Sequence, residues 1–327
     1  MAKTLNRTAA FGYFVGRSED KDIRIKSTSG GIGTSIVKYL LSTEEYDTAL
    51  SFEFDKKRCM YIPKFIHDFT EYNNCGSIYQ EIDIPNFLRA HLNEIGKGVI
   101  LSAPPCQIPL IRKIFQPLQV NTFVISFCCS GQTTIEGTWK YYDIIGVKKE
   151  KVRKIQYRGN GWPSGIQIEL DDGKIIYRDN WTKPWTDLFL SRLFSPKCCC
   201  LCKLVTSYNS DISLADPWLK KYRQNDTEGH TMYLVNTEKG KSVIVKMTNN
   251  GLISSVPSSE GEFFQAQKEN VDKARRIEET KKMINIHLKL KKNRLFVKLA
   301  SYSLFTIRIH NKIMNVICRL FSVIGGN

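Results

Sequence analysis

Apolar and polar positions alternate with two different periods along this chain, and the period changes near residue 150. In the first half, short uncharged runs separate stretches with apolar residues at helical spacing. Gly98-Val99-Ile100-Leu101 and Phe123-Val124-Ile125 are short and β-branched, and they read as buried strands. Between them, Cys106 to Phe115 reads as a helix that begins just after two prolines. Gly30-Gly31-Ile32-Gly33 leads into a further helical stretch through Leu41. Strand, helix, strand in that order predicts an α/β fold.

Past residue 150 the pattern is that of hairpins. Lys154 to Arg158 and Gly165 to Leu170 alternate, and Asp171-Asp172-Gly173 supplies a turn before Lys174 to Arg178. Strands are also expected at Asp211 to Leu214, Thr231 to Val235 and Val243 to Val245. From Phe263 onward the pattern is helical and free of proline. Three regions follow: 1-150, α/β; 151-262, β-rich and packed with the first; and 263-327, a helical tail. No internal repeat stands out.

Charge changes the picture only once it is located. The chain carries +16 over 327 residues, but residues 268–327 hold fourteen Lys/Arg against four Asp/Glu. The basicity belongs mainly to the tail, and no RNA-reading aromatic motif, zinc finger or Walker loop accompanies it, which argues against a nucleic-acid partner. The tail's longest uncharged run, Leu299 to Ile307, is too short to span a bilayer, which needs about 20 apolar residues. A basic amphipathic helix can lie on an anionic membrane surface, or pack on its own domain with a solvated basic face. Met1 to Gly16 has no continuous apolar run of the secretory kind, so a cytoplasmic setting is expected, with the inner face of the membrane as a peripheral site.

The ten cysteines carry the chemistry. Cys106 sits in Pro-Pro-Cys-Gln, Cys128 and Cys129 are adjacent, and Cys198, Cys199, Cys200 and Cys202 crowd one stretch. Cys199-x-x-Cys202 has ligand spacing, and one cysteine from each other group would complete four thiolates. That complement suits a cubane iron–sulfur cluster or a closed zinc site. With three cysteines at 198–200, one must point away. Cys59, Cys75 and Cys318 read as inert thiols. A disulfide framework is not needed in a chain long enough to bury a full core.

Other motifs flank a ligand less specifically. Ser27-Thr28-Ser29-Gly30-Gly31-x-Gly33-Thr34 stands at the start of a helix, where hydroxyls and free N–H groups suit a phosphate or a plain helix cap. Arg158-Gly159-Asn160-Gly161-Trp162-Pro163 makes a rigid corner whose guanidinium and indole could flank a planar ring or an anion. Asp211-Ile212-Ser213-Leu214-Ala215-Asp216-Pro217-Trp218 puts two carboxylates and an indole soon after the cysteine cluster. The histidines, His230 included, suggest no catalytic role.

The order of these motifs carries a resemblance. The Ser-Gly-Gly loop, Gly76-Ser77-x-Tyr79, Pro105-Cys106-Gln107, Cys129-Ser130-Gly131, Arg158 to Pro163, Cys199-x-x-Cys202, Asp211 to Trp218, Gly229-x-Thr231 and Asn236-Thr237-x-x-Gly240 occur in series. Over roughly residues 10–250 the chain resembles the coenzyme F420 hydrogenase/dehydrogenase beta-subunit family, including bacterial members linked to polysaccharide biosynthesis. The resemblance implies a flavin-bearing redox subunit with a [4Fe-4S] cluster ligated by Cys106, Cys129, Cys199 and Cys202, with Cys128 as the alternative to Cys129. It implies FAD contacts from Ser27, Thr28, Ser29, Gly30, Gly31, Gly33 and Thr34, with Arg158, Trp162 and Asp216 nearby. Electrons would pass between a hydride carrier (coenzyme F420, a nicotinamide or another) and a separate redox protein or soluble electron carrier.

Departures occur at Ala103-Pro104-Pro105-Cys106 for Gly-Thr-Pro-Cys, Cys129-Ser130-Gly131 for Cys-His-Gly, and Ala215 for a glycine. The ferredoxin run that many relatives carry is not found in this sequence. A zinc- or cluster-stabilised scaffold without catalysis is the competing expectation.

Overall fold

A computed structural model describes residues 8–73, 76–179, 181–224 and 226–324. Cys75 lies outside the described residues. Among the described residues, eleven strands form two sheets: β1 (Tyr13–Ser18), β2 (Thr48–Asp55), β3 (Met60–Ile66), β4 (Gly98–Ser102), β5 (Asn121–Phe127), β9 (Ile212–Ala215), β10 (Thr231–Val235) and β11 (Ile253–Ser258) make the larger one. The smaller holds β6 (Val152–Gln156), β7 (Gly165–Leu170) and β8 (Ile175–Asp179). The larger sheet runs in the order β11-β1-β10-β9-β5-β4-β2-β3, with β2, β4, β5 and β9 parallel and the flanks antiparallel. Strands from either side of residue 150 therefore share one sheet, and the fold is mixed α/β with a helical C-terminal region.

The central strands read as continuous apolar runs because both sheet faces are covered. Side chains alternate across the sheet, so Ile100, Phe123 and Ile125 meet the Ile32–Leu41 helix through Ile36, Val37 and Leu40. On the other face, Val99, Leu101 and Val124 meet Leu88, Ile108, Ile111 and Phe115 from the helices Ile84–Ala90 and Ile108–Phe115. The smaller sheet backs onto a separate aromatic core around Tyr141, Tyr157, Trp185 and Phe189.

Two expected strands are corrected. Val243 to Val245 lies inside the Glu238–Asn249 helix, because Thr237 caps that helix by accepting from the Gly240 N–H at 3.1 Å. Val243, Ile244 and Met247 then share its buried face while Val245 is exposed, a pattern a strand could not give. The strand expected at Lys154 to Arg158 is Val152–Gln156 instead. The two residues after it leave the sheet: Tyr157 bonds Thr138, and Arg158 bonds Asp216.

The tail folds back on the body. Its helices are Glu260–Ala266, Lys268–Lys291, Arg294–Ala300 and Leu304–Ile324. Phe263, Val271 and Ala274 are buried, and Ile307 enters the aromatic core. Arg308 Nε donates to Asp187 at 2.8 Å, and Asn311 donates to the Asp187 carbonyl at 2.8 Å. No described helix is long and apolar enough to cross a membrane.

Candidate thiol centre and the serine–glycine loop

Three chain segments bring sulfur to one place. Cys106 follows the carboxyl end of β4, in a turn closed by Gln107 N–H donating to the Pro104 carbonyl at 3.0 Å. Cys128 and Cys129 follow the carboxyl end of β5. The ends of adjacent parallel strands form a crevice where α/β proteins place ligands. Cys128 N–H extends the ladder by donating to the Leu214 carbonyl at 2.7 Å, and extended backbone sends successive side chains to opposite faces. Cys128 turns into the apolar packing beside Phe264, while Cys129 lines the cavity.

The third segment is the short Lys197–Cys200 helix. It turns Cys198 and Cys199 toward Cys106, Cys129 and Cys202, so five sulfurs line the cavity. Cys200 faces away, with Sγ 4.0 Å from the Ser195 carbonyl. Of the three neighbouring cysteines, Cys200 is thus the one that points away, and Cys198 joins the group. Among the described residues no three His, Cys, Asp or Glu side chains converge on a point as one metal ion would require. All nine described cysteines are free.

Burial pushes the Cys106 thiol up to about 11 and the Cys199 thiol up to about 12, with neighbouring cysteines adding to both. Cys129 and Cys200 are raised for the same first reason. Bare, these thiols hold their protons, and a bound metal would have to displace them. Two cations border the cavity. Lys273 Nζ and Arg192 Nη2 both donate to the Ser130 carbonyl, at 2.9 and 3.3 Å. Arg192 Nη1 is buried without a partner among the described residues. The charged and ionisable groups around these two are each other, Lys291 and the cysteines, and burial lowers both pKa values.

The serine–glycine loop forms a second focus. Gly31 takes a left-handed φ of 81° as N-cap of the Ile32–Leu41 helix and offers no side-chain cap, leaving the first helical N–H groups free. Gly30 allows close approach of strands: a Cβ there would lie 2.6 Å from Thr231 N and 2.7 Å from the Gly16 carbonyl. Gly33 abuts Leu214. Ser27 Oγ meets Thr34 Oγ1 at 3.3 Å, Ser29 Oγ meets Thr231 Oγ1 at 3.0 Å, and Ser77 Oγ donates to Thr28 Oγ1 at 3.3 Å.

Arg158 ties this loop to the strand after the cysteines. It donates to both Asp216 oxygens, at 2.7 and 3.1 Å, and to the Thr28 carbonyl at 3.1 Å. Asp216 holds the guanidinium protonated, so the pair orients the loop rather than offering a free cation. Trp162 Nε1 reaches Asp216 at 3.4 Å, and the Trp162 and Trp218 rings lie 5.0 Å apart. The structure thus brings together Ser27 to Thr34, Arg158, Trp162 and Asp216.

Asp211 lies elsewhere. Its carboxylate takes Arg112 at 2.8 Å, Val124 N–H at 2.7 Å and Thr237 at 2.8 Å, bracing the sheet. His230 has a carboxylate that the sequence reading missed: Nδ1 sits 2.6 Å from Asp226, four residues before it. The i, i+4 spacing was the available signal. Arg192 and Lys273 were also missed, since neither stands in a motif.

Residues 13–89 match the family model described as coenzyme F420 hydrogenase/dehydrogenase, beta subunit N-term, and residues 96–260 match its counterpart for the carboxy terminus of the same beta subunit. A chain of the F420-reducing [NiFe] hydrogenase complex from Methanosarcina barkeri has a similar fold, with a TM-score of 0.63 at 18% identity. The alignment covers 84% of this chain and 94% of that one. No curated protein matches this sequence.

Proposed function

This chain belongs to the coenzyme F420 hydrogenase/dehydrogenase beta-subunit family of redox proteins, and from that premise we propose a flavin- and iron–sulfur-dependent oxidoreductase subunit. The observation that carries the reading is the ring of five thiols bordered by two cations that face no carboxylate among the described residues. Cys106, Cys129, Cys199 and Cys202 would hold a [4Fe-4S] cluster, with Cys198 beside them. A zinc site needs its sulfurs about 3.8 Å apart around one ion bound at ~2.3 Å. Thiols drawn from three chain segments to one cavity, with no three of the described side chains converging on a point, would suit a cluster better than a single ion.

The serine–glycine loop would receive the pyrophosphate of FAD at the uncapped helix N-terminus, with Thr28, Ser29 and Ser77 hydroxyls beside it. Arg158 and Asp216 would fix that loop relative to the Trp162 and Trp218 rings. When bound, the flavin supplies the conversion between two-electron hydride chemistry and one-electron transfer to the cluster. A hydride carrier such as coenzyme F420 and a separate redox protein or soluble carrier would complete the route. The motif series supports a setting in surface polysaccharide biosynthesis through its likeness to that branch.

Protein purified without oxygen should show flavin bands with a broad brown shoulder, and iron and acid-labile sulfide in equal amounts. A colourless, zinc-containing chain would overturn this in favour of the scaffold.

The tail supports a peripheral place at an anionic membrane. Residues 280–327 contain no acidic residue. Leu295, Leu299, Tyr302 and Phe305 are 60–74% exposed along its outer side, with Lys292, Arg294, Lys298 and Lys312 exposed beside them. Apolar burial and lipid charge act together on such a face, each basic residue contributing about 1 kcal/mol. The full chain should sediment with phosphatidylserine vesicles at low salt and leave them as salt rises. No binding at low salt removes the membrane from the reading.

A further inference from the structure

We propose that Arg192 and Lys273 form a cationic wall that sets the reduction potential of the group held by the cysteines, so that the tail is part of the redox site. The proposal rests on the cluster reading above. Lys273 belongs to the Lys268–Lys291 helix, more than sixty residues past the last cysteine of the CxxC pair. It lines the thiol cavity and shares the Ser130 carbonyl with Arg192. Arg192 Nη1 lies where a side chain at position 131 would stand, 2.7 Å from that Cβ position, so Gly131 is the residue that lets it approach Cys199.

The same helix holds Arg192 in place from its other end. Lys291 is eighteen residues beyond Lys273, five helical turns, and so returns to the same face. Its Nζ donates to the Arg192 carbonyl at 2.7 Å and to the Ser195 carbonyl at 2.5 Å. His287, one turn earlier, approaches the Arg192 carbonyl at 3.4 Å. The Arg192 to Ser195 stretch just before the cysteines is therefore held by the tail on one side and by Ser130 on the other.

A buried cation without a counter-charge is costly: Lys273 and Arg192 share the Ser130 carbonyl, the Arg192 guanidinium lies 4.9 Å from the Phe189 ring centre, Arg192 Nη1 is buried without a partner among the described residues, and the acidic groups these cations face are thiols. Four cysteine thiolates around a cubane make an anion, and accepting one electron adds one more negative charge to it. Nearby positive charge favours that reduced form over the oxidised one. Removing a cation must lower the potential, while a substitution that only disturbs packing would change iron content without a directed shift.

The test is an EPR-monitored redox titration of the full chain, with iron and acid-labile sulfide measured on the same samples. Lys273→Met should keep its iron and shift the reduced-to-oxidised ratio at least tenfold toward oxidised, which is about 59 mV for one electron. Lys273→Arg should restore the wild-type midpoint. Should Lys273→Met fold poorly, Arg192→Gln tests the same wall with the same expected direction. An unchanged or raised midpoint at full iron in a folded variant overturns the proposal. Wild-type protein without iron overturns the cluster reading itself, and this inference with it.

Discussion

The thiol cavity and the serine–glycine loop sit in one fold but are held together in opposite ways. In the loop the polar side chains already have protein partners, and only the helix N-terminal N–H groups are left open: Arg158 has Asp216 and Thr28, Ser27 has Thr34, Ser29 has Thr231. The cavity gathers protonated thiols and cations whose counter-charges the described residues do not supply. The loop is thus stable as protein alone, whereas the cavity is arranged for a group that brings its own charge. Stability tests should report on the loop, and metal content should report on the cavity.

The sharpest way to break that comparison is at the adjacent cysteines. Cys129→Ser should lose essentially all bound iron, while Cys128→Ser should keep it, since Cys128 packs beside Phe264. Iron per chain on protein prepared without oxygen checks this, and equal loss in both variants would contradict the geometry.

A large effect on the opposite side is expected from Arg158→Met. It leaves Asp216, whose side chain is 15% exposed, without its partner, and breaking such a pair costs about 3–5 kcal/mol. Urea denaturation should show that loss, with iron content per folded chain unchanged. A variant of normal stability that lost its iron would mean the two regions are not separable.

Acid should loosen the tail clamp before the loop. Burial holds His287 down at about 4, below its ordinary 6.5, with His310 and Lys291 adding to the effect. The folded state therefore prefers neutral imidazole, and between about pH 6.5 and 4 the unfolded chain binds the extra proton. The contribution is fully present above 6.5 and is lost as pH falls toward 4, on the order of 3 kcal/mol in total. His287→Gln should flatten that part of the stability-versus-pH profile, and an unaltered profile would remove His287 as its source.

Much of the candidate site was legible because it is written in local spacing. Cys199-x-x-Cys202 needs only a turn to aim two sulfurs together, and the Ile32–Leu41 helix follows from its apolar period. The choice between Cys128 and Cys129 was not legible, because it depends on how far β5 continues its ladder with β9. The Val243 to Val245 run was misread as a strand because three β-branched residues carry β propensity, and the Thr237 cap with the buried Met247 outweighed it.

The sequence by itself determined the α/β class, the family and the supply of thiols, since apolar period and motif order are properties of neighbours along the chain. Only the tertiary structure decided that strands on either side of residue 150 share a sheet, that Cys198 turns inward, and that Arg158 is neutralised by Asp216 fifty-eight residues away. It also decided that the basic tail faces two ways, with Lys273 at the thiols and Leu299 at the surface. Charge and apolarity can be counted from a sequence, but their partners are set by packing between distant segments, and the strength of an ion pair or a buried thiol depends on those partners.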